Sequence, residues 1–216
     1  MGCCFGKADA EDAHPAFDPV IGLCEKARGP NVRVESGAVS GSGSILGDSA
    51  VLQDKCYFEA TILAEGPWAI GFATRDTELD GMLSQDKVSS AWTLTSSLAG
   101  LPPIGLGDVV GVALDQGDYP VQVYFYLKGR VIHTMSGIRG EVCPAFSVGD
   151  GARLQCVPRT RPRPTPARLP ALSGPRPAPP RPRPAPCAGR PNFGSTDYAQ
   201  GMPAGFQGII KSMSLL

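Results

Sequence analysis

Gly2, Cys3 and Cys4 are the residues at the start of the chain whose types could take part in covalent chemistry. Gly2 would become the amino terminus once Met1 is removed and could then accept myristate. Cys3 and Cys4 could accept palmitate. One acyl chain holds a protein to a bilayer only marginally, whereas two anchor it. Gly6 stands where the usual myristoylation pattern has Ser or Thr, and the acidic Asp9, Glu11 and Asp12 that follow would oppose an anionic leaflet. The alternative is an unstructured start with two ordinary thiols. Cys24, Cys56, Cys143, Cys156 and Cys187 complete an odd set of seven cysteines. With no basic head and long apolar run to mark a secretory signal, reduced thiols in the cytosol are expected. Cys56, Cys143 and Cys156 lie within apolar text and read as small buried hydrophobes. His14 and His133 are the only histidines and lie far apart, which argues against zinc and against a Ser–His–Asp arrangement. The close carboxylates Asp76, Glu78 and Asp80 sit in a loop ending at Gly81. They are not spaced along a strand as a sugar-cleaving pair would be. Gly41-Ser42-Gly43-Ser44-Ile45-Leu46-Gly47 lacks the following helix that a phosphate-cradling loop needs, and reads as turn and strand.

The elements that must carry these residues are strands. Gly107 to Gly129 is the organising stretch. Val109 to Leu114 is apolar at almost every position, as in a strand covered on both faces. Val121, Val123, Phe125 and Leu127 then alternate with Gln122, Tyr124 and Tyr126, and Gln116 to Pro120 between the two runs has hairpin-loop chemistry. Further strand text covers Val32–Glu35, Cys56–Leu63, Trp68–Thr74, Ser90–Leu94, Val131–Thr134, Gly140–Val148 and Ala152–Val157. Strands recurring every 8–15 residues without a long helix predict an antiparallel β-sandwich. Residues 1–30 show no clear period and read as a poorly ordered lead-in. No run of 18 apolar residues is present.

Four ordered blocks carry a resemblance. Tyr57-Phe58-Glu59, Trp68-Ala69-Ile70-Gly71-Phe72-Ala73, Gly107-Asp108-Val109-Val110-Gly111-Val112 and Val142-Cys143-Pro144-Ala145-Phe146 are similar to the successive signatures of the SPRY (B30.2-type) domain family. Ser136-Gly137-Ile138-Arg139-Gly140 and Met202-Pro203-Ala204-Gly205-Phe206 extend the likeness. It covers about residues 31–156 plus the tail, 192–216. The resemblance implies an all-β, two-sheet, concanavalin A-like jelly roll that binds protein partners and performs no catalysis.

Residues 157–191 depart from that pattern. They hold eight arginines, thirteen prolines and no acidic residue. Few are large and apolar, so they cannot build a core and are expected to form a solvated, polyproline-like excursion from the sandwich. Arg176, Pro179 and Pro182 fit a basic residue with Pro-x-x-Pro, the spacing that SH3 grooves read. A linker without specific function, or the translation of a GC-rich intron, would look alike. Outside this stretch the chain has twelve basic and twenty acidic residues, a net charge of −8 that disfavours nucleic-acid binding.

These features lead to one expectation: a cytoplasmic, non-catalytic adaptor without metal or cofactor, tethered to a membrane through Gly2, Cys3 and Cys4. The partner would be a protein or peptide held at the loops of the sandwich ends. Candidate contacts are Arg75, Asp76, Trp92, Thr93, Tyr119, Lys128 and Arg130, chosen because Tyr, Trp and Arg dominate interface energetics and loops on a rigid frame present them. The alternative is a calcium-independent carbohydrate-binding sandwich.

Overall fold

Alternating apolar text becomes paired strands in the computed structural model, which describes residues 22–84, 88–156 and 198–210. There are thirteen strands and no helix among the described residues. They are β1 (Leu23–Arg28), β2 (Val32–Glu35), β3 (Ala38–Gly41), β4 (Gly43–Gly47), β5 (Lys55–Ala64), β6 (Trp68–Thr74), β7 (Ala91–Thr95), β8 (Val109–Asp115), β9 (Gln122–Leu127), β10 (Arg130–Ser136), β11 (Val142–Val148), β12 (Arg153–Gln155) and β13 (Gln207–Gly208). One sheet has the order β1-β4-β11-β6-β7. The other runs β10-β9-β8-β5-β12-β3-β2, with β13 added beside β5 in parallel. All other pairings are antiparallel.

Turn chemistry sets two of the hairpins. Lys128 and Gly129 have φ of 52° and 75°, and Ser36 and Gly37 have φ of 50° and 74°. Two successive left-handed residues match the right-handed twist of the strands they join, β9 to β10 and β2 to β3.

The sheets close on three phenylalanines. Phe58 of β5 meets Phe72 of β6 edge-on at 5.4 Å between ring centres, and Phe146 of β11 at 5.5 Å. All three are fully buried, with Ile45, Ile70, Leu94, Val112, Leu114 and Phe125 around them. Burial of this apolar layer is the main stabilising term of the sandwich.

A second, smaller core lies on the outer face of the five-stranded sheet. There Leu46, Ala73, Ala91, Cys143 and Ala145 are covered by the chain between β6 and β7, which turns back so that Leu83 is fully buried. Polar bonds fix it. The Leu83 N–H donates to Ser147 Oγ at 3.1 Å, and the Thr93 hydroxyl donates to the Leu83 carbonyl at 2.7 Å. Leu83→Ala would empty that contact and should lower the unfolding free energy by about 2–5 kcal/mol, read as a fall in the urea midpoint at constant slope.

Two expectations are corrected here. β1 falls inside residues 1–30, which the sequence suggested were a lead-in. It is a half-exposed edge strand whose pairing with β4 contains an irregularity, so its side chains carry no clean alternation. The polar loop after Thr74 continues into a buried plug.

The chain returns at Tyr198 onto the outer face of the eight-stranded sheet. Glu59 of β5 is only 6% exposed and receives three hydrogen bonds. The Tyr57 hydroxyl donates at 3.0 Å, Ala199 N at 2.7 Å and Gln200 N at 3.0 Å. The Tyr198 hydroxyl donates to the Tyr57 carbonyl at 3.0 Å, and the Gln200 side chain bridges Val109 O and Gly129 N. Gly111 of β8 makes room for this cluster: a Cβ there would stand 2.2 Å from the Tyr57 hydroxyl. The sandwich is therefore closed on both sides of residues 157–197, at Cys156 on Gly37 O and at Tyr198 on Tyr57. Deleting 157–191 should shift the unfolding free energy by only about 1–2 kcal/mol, because loop-closure entropy changes slowly with length.

Candidate functional site

Strand direction decides which loops share an end. β8 finishes at Asp115, opposite Lys55 and Gln122. β6 finishes at Thr74, opposite Val142. The segment between β4 and β5 joins the two ends: Val51 N donates to Val142 O at 2.9 Å, while Gln116 Nε2 donates to Val51 O at 3.2 Å and Gln53 O at 2.9 Å. The β6–β7 loop, the β8–β9 hairpin loop and residues 48–54 therefore gather at one end of the sandwich.

The candidate contacts divide accordingly. Arg75 and Asp76 are exposed at this end; Arg75 Nη2 reaches the Asp48 carbonyl at 3.4 Å. The Thr74 hydroxyl donates to Asp76 and holds its carboxyl below the usual carboxylate range. Tyr119 stands 92% exposed at the tip of the β8–β9 loop. Lys128 and Arg130 lie at the opposite end, where Lys128 pairs with Asp108 at 3.2 Å. Trp92 is 6% exposed and part of the inter-sheet core, and Thr93 is buried with its hydroxyl given to Leu83. Neither presents a side chain to a partner in this conformation, which corrects their assignment as contacts. Gly2, Cys3, Cys4, Arg176, Pro179 and Pro182 lie outside the described residues.

Two residues that sequence reasoning did not single out complete the surface. Leu52 is 61% exposed and Ile210 57%. Two glutamines tie the segments that carry them to each other and to the base of the β8–β9 loop. Gln116 spans the backbone on either side of Leu52. Gln53 donates to the Gly208 carbonyl at 2.9 Å and accepts from Ile210 N at 2.8 Å. The only signal in the sequence is the run Ala50-Val51-Leu52, of which Ala50 and Val51 are buried. Lys55 Nζ sits 2.8 Å from Asp115 and 5.6 Å above the Phe206 ring, supporting the rim from below.

This arrangement offers contact area rather than reactive groups. No set of three or more His, Cys, Asp or Glu side chains among the described residues could hold a metal. Burial pushes the thiols of Cys56, Cys143 and Cys156 above their ordinary range, which suppresses the thiolate that would attack a substrate. Native-state alkylation at pH 8 should therefore spare these three cysteines and, of the four in the described residues, modify only half-exposed Cys24, as read by peptide mass mapping. Modification of Cys143 before unfolding would contradict its packing under the Leu83 plug.

The SPRY domain model matches residues 55–160. SPRY domain-containing protein 7 of chicken (Gallus gallus) is 33% identical over 152 residues, 64% of this chain and 76% of that protein. Its human (Homo sapiens) counterpart is 35% identical over 130 residues, 55% of this chain and 64% of that protein, so about a third of the human relative lies outside the match. Among solved structures, the TRIM65 PSpry domain superposes with a TM-score of 0.50 at 12% identity, covering 63% of this chain and 88% of that one. That likeness concerns the fold alone.

Proposed function

This chain belongs to the SPRY domain family, and from that premise we propose that it is a non-catalytic adaptor that reads a protein ligand with the rim formed by Leu52, Tyr119 and Ile210. SPRY domains are in general protein-interaction modules. The observation that supports this rim is the exposure of three large apolar side chains at one end of a rigid frame, on segments fixed to one another by Gln53 and Gln116. Interfaces draw their energy from such anchors, and a preordered platform loses little entropy on binding. Arg75 and Asp76 lie farther along the same end.

In this reading Gly2 carries myristate and Cys3 and Cys4 carry palmitate, which places the module at a cytoplasmic membrane face. Arg176, Pro179 and Pro182 would offer a separate ligand to an SH3 domain. The residue types support both additions. Intact-mass measurement of the protein from its native cells tests the tether: mass increments of the acyl chains, with hydroxylamine releasing those on the cysteines, are expected. An unmodified amino terminus would remove it.

The interaction reading is tested by proximity labelling in the native cell with the full chain and with Tyr119→Ala/Leu52→Asp. The expected result is a set of protein neighbours lost in the double variant while its unfolding midpoint stays unchanged. Retention of every neighbour would remove these side chains from the site, and selective binding on a glycan array would favour the carbohydrate-binding alternative.

A further inference from the structure

The charges around the rim narrow the class of partner, an inference that rests on the interaction reading above. Among the described residues, the segments 50–55 and 115–120 that carry Leu52 and Tyr119 hold Asp54, Asp115 and Asp118 and one cation, Lys55. Lys55 is already committed to Asp115 at 2.8 Å and to the Phe206 ring. Among the described residues Asp54 and Asp118 form no ion pair, and Asp118 is exposed in the hairpin loop beside Tyr119, where it acts on Lys55 only through space. The adjoining loop contributes Arg139 and Glu141, which offset each other. Its Gly137 N bonds Val121 O at 3.2 Å, so it stands next to the hairpin. Among the described residues the local excess is two negative charges. It points the same way as the net −8 of the chain outside residues 157–191.

We propose that the Leu52–Tyr119–Ile210 rim docks a basic peptide segment of a partner protein, one that seats an aliphatic or aromatic side chain between the three anchors and sets Lys or Arg against Asp54 and Asp118. The apolar anchor supplies the residence time. The carboxylates accelerate encounter and reject acidic competitors. Binding is therefore expected to weaken as salt screens the exposed aspartates. A bilayer is the less favoured occupant: the same aspartates would repel an anionic leaflet, and the described residues give the three apolar side chains no basic collar to hold one.

The test is selection of peptides from a displayed random dodecapeptide library on the full chain, followed by titration of the recovered peptides. Recovered sequences should be net positive and carry a large apolar residue. Leu52→Asp should weaken their binding by about tenfold or more, as expected for a central anchor. Asp118→Lys should weaken it several-fold and flatten its salt dependence, with the unfolding midpoint of both variants unchanged. Peptides that bind but are acidic or neutral, or that ignore both substitutions, would overturn the basic-ligand assignment and leave the broader adaptor reading standing. Recovery of no binding peptide would overturn both. Cosedimentation with zwitterionic phosphatidylcholine vesicles that is abolished by Leu52→Asp would assign the rim to lipid and overturn the proposal.

Discussion

Phe58→Ala should lower the unfolding free energy by about 3–5 kcal/mol, the largest single loss expected of the inter-sheet core. Phe58 is the only member of the aromatic trio contributed by the eight-stranded sheet, and it touches both Phe72 and Phe146 of the opposite sheet. Truncating it removes two edge-to-face contacts, each worth about 0.5–1.5 kcal/mol beyond area burial, and opens a cavity that fully buried neighbours cannot collapse to fill. Most small domains have about 5–15 kcal/mol in total, so the variant would sit near its unfolding threshold. Chemical denaturation of the full chain reads the loss directly. Phe58→Leu, which keeps most of the volume, should recover much of it. Equal midpoints for Phe58→Ala and the parent chain would mean that the two sheets do not close on this residue.

Glu59→Gln should have the second largest effect, about 2–4 kcal/mol, and a distinctive signature. Oε1 of Glu59 accepts from the Tyr57 hydroxyl and Gln200 N, and Oε2 accepts from Ala199 N. An amide offers one oxygen. Its NH2 group would then face at least one backbone N–H, leaving a donor against a donor in a site only 6% exposed. The charge-assisted character of the remaining bonds is lost as well. Because two of the three donors belong to the returning segment, the damage should be local before it is global. Amide exchange at residues 198–201 should rise by more than exchange at β6 or β11. A uniform rise across both sheets would show that Glu59 supports the sandwich as a whole instead of clamping its tail.

Glu59 also shows where sequence reading stops. In Tyr57-Phe58-Glu59-Ala60-Thr61-Ile62 it occupies a position that alternation assigns to a solvent face, and a carboxylate suits water. It is buried because residues some 140 positions later fold over it. No local period encodes that. Some inward positions were legible: Phe58, Val123 and Phe125 fall on the apolar phase of their strands and are buried. β1 was not legible, since an edge strand with three exposed positions and a bulge has no phase to read. Trp92 and Thr93 resembled rim residues because a short strand next to a loop looks the same whether or not a neighbouring segment covers it. Here the Leu83 plug covers the outer face, and the second sheet covers the inner one. Tyr119 was found from the loop chemistry around it. Leu52 and Ile210 were missed because their exposure depends on hydrogen bonds between segments far apart in the chain. The exposed charges split between the two ends for a topological reason: Arg75 follows a strand running one way, and Lys128 follows one running back.

The recognition claim meets its most direct test in amide hydrogen exchange on the full chain, with and without a peptide selected for binding. Protection confined to residues 48–54, 116–121 and 207–210, with no change along β5, β6, β8 and β11, is the predicted map. Protection centred on Lys128–Val131, or spread over the sheets, would contradict a rigid frame read from the end that carries Leu52, Tyr119 and Ile210.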